Sequence, residues 1–209
     1  MKSKGSSVSD LSTEAKIMAA ARVVFYKKGF AATRTRDIAE EAGINLALLN
    51  YYFRSKAKLF DIIMLETVSG FIQNMVGVLN NEKTTLEEKI EEVVSRYIDV
   101  IINEPEIPTF IVTEIRNNPA LLLEKLPIRH TLTESVFIRQ YQEAVLKGKI
   151  TEPNPLHFLM NMMGLIIFPF IAKPLLMGGN GIKEEAFNEL MRERKKKIPV
   201  WIKAIMKVK

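Results

Sequence analysis

The chain contains no cysteine. That excludes a disulfide framework, a thiolate metal site and a cysteine nucleophile, and it is compatible with a reducing cytoplasm. Histidine is scarce, with two in 209 residues, and no Ser-His-Asp, HExxH, Walker or GxGxxG arrangement is present. The one glycine cluster, Gly178-Gly179-x-Gly181, follows no strand-like segment and so does not read as a phosphate cradle. An enzyme is therefore not expected, nor a metal or a cofactor. Strand-like alternation is nearly absent. Long clean apolar runs are missing too. Leu156–Met177 is interrupted by His157, Asn161, Pro169 and Lys173, and its longest uninterrupted stretch, Met162–Ala172, falls well short of the ~20 residues of a membrane span. It reads as a buried or interface helix, and no membrane partner is expected. Met1–Asp10 is rich in Ser and Lys without an apolar centre, unlike a signal peptide, and residues 1–12 read as a flexible arm.

What is present is apolar material and helix punctuation. Hydrophobic residues make up 47% of the chain, enough for a packed core. The net charge of +6 is unevenly placed. Residues 1–60 hold eleven Lys and Arg against five Asp and Glu, while residues 61–209 hold nineteen of each. A basic segment joined to a neutral body suggests a polyanion partner for the first part, the alternative being a merely solvated surface. Helical signals run throughout and predict roughly nine helices. The first runs from about Ser12 to Lys28, stopped by Gly29 in a left-handed cap. Thr35 N-caps a short helix through Ala42, Asn45 caps another through Phe53, and Ser55 caps a long one reaching Asn80. Thr85-x-x-Glu88 reads as a capping box opening a helix to Asn103. Pro105 and Pro108 break the chain, with short helices to follow around 109–117 and 120–125. Thr131-x-x-Glu134 opens a helix ending at Gly148. Asn154-Pro155 opens one ending near Gly178-Gly179, and a last helix spans Lys183–Lys207 with a bend at Pro199.

The informative stretch is Thr35–Phe60. Ile38, Ala39 and Ala42 give its first helix an apolar face, Gly43 supplies a turn, and Ile44, Leu49 and Phe53 let the next helix pack back. The small Ala39 allows a close crossing. This is helix-turn-helix geometry, which places the second helix in the DNA major groove.

With Thr35-x-x-Ile38-Ala39, Ala42-Gly43-Ile44, Leu49, Tyr52-Phe53, Ser55-Lys56 and Leu59-Phe60, preceded by Phe25 and Gly29-Phe30, residues 15–60 resemble the tetracycline-repressor (TetR) family. The resemblance implies an all-α protein: an N-terminal three-helix DNA-binding domain (13–58) and a larger C-terminal helical bundle (59–209) for ligand binding and dimerisation. It also implies a role for each matching position. Thr35 would bind a phosphate. Asn45 replaces a common Ser or Thr and still caps. Ala47 keeps the backbone close to the groove. Tyr51 and Tyr52 would press on the sugar-phosphate backbone, and Lys56 would hold a phosphate. Arg36, on the basic side, would reach phosphate or a base edge. Leu46, Leu48 and Asn50 depart from the family pattern. Apolar side chains can contact thymine methyls and Asn can read adenine, so A·T-biased recognition is expected, with inward packing of one leucine as the alternative.

The last two helices read as an association surface, with monomer core as the alternative. The candidates are Phe168, Phe187, Leu190, Arg194 and Trp201. A homodimer is the physical default for a helix-turn-helix protein, since paired recognition helices must sit about 34–36 Å apart on double-stranded operator DNA. From the resemblance, a small apolar or amphipathic effector is expected among Tyr97, Phe110, Arg116, Phe137, Tyr141, His157, Met160 and Asn161, with His130 and Met163 as further candidates. The expected function is a cytoplasmic repressor released by that effector. The alternative is a regulator that answers to a protein partner or acts as an activator.

Overall fold

Helix ends are decided by a few side chains that satisfy otherwise orphaned backbone groups, and the computed structural model, which describes residues 12–125 and 133–207, shows them in place. Ser12 accepts from the Ala15 N–H at the start of α1 (Thr13–Ala32). Gly29 does not end α1 in the expected way. Its φ of 69° is left-handed, but its ψ of 175° makes a kink, after which one more turn runs to Ala32. The N-cap of α2 (Thr35–Glu41) is Arg34 rather than Thr35. The Arg34 N–H donates to the Asp37 carboxylate at 2.9 Å, so Thr35 becomes the first helical residue. α3 (Leu46–Tyr52) is capped by Asn45, as expected, with the Leu48 N–H donating to its side-chain oxygen at 2.8 Å. Ser55 caps α4 (Lys56–Leu79) by accepting from the Lys58 N–H.

The chain forms two compact units, 1–67 and 68–209. The first extends past the expected boundary at residue 58 because the opening turns of α4 belong to its core. Leu59, Phe60, Ile63 and Met64 are all buried. Phe60 meets Phe25 of α1 edge-on at 4.9 Å, Arg22 pairs with Glu66, and the Tyr26 hydroxyl lies 2.6 Å from that of Thr67. By length and composition α4 could cross a membrane, but these contacts make it a core helix.

The second unit holds the rest of α4 followed by α5 (Leu86–Asn103), α6 (Ile107–Asn117), α7 (Pro119–Lys125), α8 (Val136–Leu146), α9 (Pro155–Ile171), α10 (Lys173–Asn180) and α11 (Glu184–Ile205). The capping box forms as read: the Thr85 N–H donates to Glu88 at 2.8 Å and the Glu88 N–H to the Thr85 hydroxyl at 3.2 Å. Thr131 and His130 lie outside the described residues. The apolar segment expected as one helix is two, because Ala172 breaks it and the axis turns by 53°. Pro174, with no N–H, cannot continue α9. α11 runs unbroken through Pro199. Its buried Phe187, Met191, Ile198 and Ile202 pack along α5, whose Ile90, Val94, Ile98 and Ile101 are equally buried. These side chains, with Phe137, Tyr141, Phe158 and Met162, form the core. Eleven helices and no strand are found among the described residues.

Candidate nucleic-acid interface

The turn between α2 and α3 is closed by backbone hydrogen bonds. The Gly43 N–H donates to Glu40 C=O at 3.1 Å and the Ile44 N–H to Ala39 C=O at 3.0 Å. With Gly43 at φ 65° this is a Schellman ending, and it turns the chain sharply enough to bring α3 across α2. Ile38, Ala39, Leu49 and Phe53 are buried at the crossing.

Burial on that side leaves the other face of α3 outward. Leu46, Ala47, Asn50 and Tyr51 are exposed, Tyr51 to 78%. These residues sit at i, i+1, i+4 and i+5, which is one face of a helix. Leu48 is half-buried, so of the two leucines expected on this face it is the one that turns inward. Tyr52 is exposed and its ring meets that of Tyr51 edge-on at 5.4 Å. Asn45 is exposed, but its side-chain oxygen is committed to the cap and only its N–H2 is left to donate. Arg36 is exposed and Thr35 half-buried. Arg34, Arg54 and Lys58 are also exposed. Asp37, the acid at the start of α2, is held below the usual carboxylate range by the Arg34 backbone N–H first and by Lys28 at 3.2 Å second.

Lys56 has partners inside the protein that sequence reading did not expect. Its Nζ donates to Phe30 C=O at 2.8 Å and Thr33 C=O at 2.9 Å, and it lies 4.2 Å from the centre of the Phe30 ring. It ties the end of α1 to the start of α4. Two of its three N–H donors are thus spent inside the unit, and one is left for a phosphate.

The arrangement defines a helix-turn-helix DNA-binding protein with a separate all-helical body. Residues 17–63 match the profile of the bacterial regulatory proteins of the tetR family. YttP of Bacillus subtilis, named as a probable HTH-type transcriptional regulator, is 25% identical over 77% of this chain and 78% of its own length. The HTH-type transcriptional repressor NicS of Pseudomonas putida is 33% identical over 49% of this chain and 48% of its own. Among solved structures, HlyIIR, a hemolysin II transcriptional regulator, superposes with a TM-score of 0.64 at 20% identity, covering 94% of this chain and 98% of its own.

The effector candidates do not converge. Phe110 and Phe137 are buried in the second unit, while Arg116, His157 and Met160 are exposed, His157 lying 3.1 Å from Glu152. Tyr141 and Asn161 share a cleft of about 300 Å³ with Glu152 and Phe158. There the Tyr141 hydroxyl donates to Glu152 C=O at 2.7 Å, and burial, with the Glu152 charge second, pushes its pKa up to about 12. Tyr97 lines a different cleft of about 280 Å³ between α4 and α5. Its hydroxyl has a long 3.4 Å bond to Phe71 C=O, and burial keeps it protonated far above the normal phenol range. The cleft walls, Phe71, Met75 and Val78 facing Val93, Tyr97 and Val100, escaped sequence reasoning except for Tyr97. The signal was available: both triplets are spaced i, i+4, i+7 on consecutive helices.

The association candidates divide as well. Phe168, Leu190 and Trp201 are exposed, Phe168 to 65%. Phe187 is the correction: it is 0% exposed and meets Phe170 at 5.8 Å, so it is monomer core. Arg194 is half-buried and bonded within its own unit.

Proposed function

We propose that this transcriptional regulator is a homodimeric, cytoplasmic repressor that leaves double-stranded operator DNA when a small apolar or amphipathic molecule binds its body. One observation carries the DNA reading: α3 buries Leu49 and turns Leu46, Ala47, Asn50 and Tyr51 outward from a unit in which Lys and Arg outnumber Asp and Glu by eleven to seven. On this reading Thr35, Arg36, Asn45, Tyr51, Tyr52 and the third N–H of Lys56 position the phosphates, while Leu46, Ala47 and Asn50 face the bases and Leu48 packs behind them. The repressor direction is supported by NicS, which is named a repressor.

The effector reading rests on the α4–α5 cleft. Phe71, Met75, Val78, Val93 and Val100 offer apolar walls, and Asn74, Arg96, Asp99 and the neutral Tyr97 hydroxyl supply the polar lining. α4 supplies one wall and is the same continuous helix that starts at Lys56. A ligand favouring a shifted α4 would lower DNA affinity by its differential binding, typically about 1–3 kcal/mol. The dimer reading rests on the exposed ridge of Leu156, Met160, Phe168 and Ile171, spaced along one face of α9, with Leu175 of α10 and Leu190 and Trp201 of α11 exposed as well.

Selection of bound duplexes from random oligonucleotides tests the DNA face. An A·T-biased consensus is expected, and replacing its thymines by uracil should weaken binding by removing the methyl groups that Leu46 and Ala47 contact. Asn50→Ala should relax preference at one position by about 1–3 kcal/mol. A G·C-rich consensus, or indifference to both changes, would overturn the assigned face.

A further inference from the structure

Pro169 lies inside α9. Proline has no N–H, so the carbonyl four residues earlier, that of Leu165, loses its helical partner, and the ring pushes that carbonyl off the helix axis. The donor it lacks comes from another helix. Arg194 of α11 donates to the Leu165 oxygen at 2.7 Å. Its guanidinium also lies over the Trp201 ring at 5.1 Å, and burial alone pushes its pKa down. A cation removed from water without an acid beside it is costly unless a strong acceptor meets it. A carbonyl tilted out of its helix is such an acceptor. The carbonyl thus gains a charged donor and the guanidinium one acceptor, although the Arg194 Nε–H stays buried without a partner.

We propose that Arg194 is a positioning residue that replaces the N–H missing at Pro169. It pins the second half of α9 to α11 and so fixes Phe168 and Ile171, the exposed apolar residues flanking the proline, in the ridge that receives a second copy of the chain. The last step rests on the dimer reading given above. Arg194 then acts from behind the association surface and is no part of its contact area.

A double-mutant cycle on the full chain tests this, read by thermal unfolding and by sedimentation equilibrium. Arg194→Leu should lower the Tm by about 5 °C or more, because a half-buried carbonyl loses a charged donor, and should weaken self-association at least tenfold. Pro169→Ala alone should leave the Tm unchanged or raised. In that background Arg194→Leu should cost less than half as much, since the restored N–H closes on Leu165. Equal losses in both backgrounds would overturn the proposal, because the arginine would then act independently of the proline. Should Arg194→Leu be insoluble with Pro169 present, Arg194→Gln replaces it in the same cycle, and its rescue by Pro169→Ala or the lack of it decides equally. Monomeric sedimentation of the unmodified protein would overturn the dimer reading and the last step with it, while coupled Tm values would still establish the donor.

Discussion

Lys56 has a role inside the protein besides the phosphate contact proposed for it. A lysine at the start of a helix next to a basic surface suggests a phosphate contact, and its sequence context shows nothing else. Folding brings Phe30 and Thr33 to it from 26 and 23 positions away, and their carbonyls take two of its three donors. Lys56→Ala should therefore have two separable effects. The Tm should fall, because carbonyls lose a charged donor worth about 1.5–3 kcal/mol each at most. The slope of log K against log salt should also fall, by about one phosphate per subunit. An unchanged Tm would refute the staple, and an unchanged slope would refute the phosphate contact. Lys89 is a second case that sequence reading passed over. It has no exposed surface, yet its Nζ reaches Asn81 C=O and Thr84 C=O, each at 2.6 Å, and the Thr84 hydroxyl at 2.9 Å. Burial lowers its pKa. Its place three residues after Leu86 and four before Val93 puts it on the apolar stripe of α5, a signal that sequence reading could have used.

At the scale of the element, caps and turns carry the local information. Gly43 has open space where a Cβ would stand, so Gly43→Ala would meet no clash. Its cost is the left-handed backbone alone, about 1–2 kcal/mol, measurable as a drop in Tm of the DNA-binding unit. A loss far above this would mean that α3 is displaced. Acid reports on the caps. Asp37 and Glu88 are both held below their ordinary values, first by the backbone N–H groups of Arg34 and Thr85 respectively. The unfolded chain binds protons on these carboxylates at higher pH than the folded chain does. Stability from them is thus complete above the unfolded pKa values and is lost as pH falls through the lowered folded ones. Glu88→Gln should flatten the acid limb of a helix-content titration followed by circular dichroism. An acid limb identical to that of the unmodified protein would exclude the cap as a contributor.

For the whole molecule, association separates two phenylalanines that look alike in sequence. Phe168 is exposed on α9 and Phe187 is sealed in the core against Phe170. Phe168→Asp should leave folding intact, abolish self-association at micromolar concentration and weaken operator binding, because two recognition helices no longer act as a linked pair. Phe187→Ala should instead destabilise the second unit by about 3–5 kcal/mol through the cavity it leaves. Sedimentation and thermal unfolding of the two variants distinguish the roles. A dimer that survives Phe168→Asp would move the association surface elsewhere.

By itself the sequence determined the helical class, the helix-turn-helix at Thr35–Phe60 and the caps at Asn45, Ser55, Thr85 and Asn154. Those features depend on contacts within a few positions of one another, on spacing along one helix, and on caps that reach no further than three residues. Tertiary structure alone decided which apolar faces meet. It placed Tyr97 and Tyr141 in separate clefts, buried Phe187, committed Lys56 to two carbonyls and joined Arg194 to the carbonyl orphaned by Pro169. Burial and partnership across 23 to 29 positions depend on how helices pack, and apolar spacing on a single helix is the same whether that face meets its own core, a ligand or a second chain.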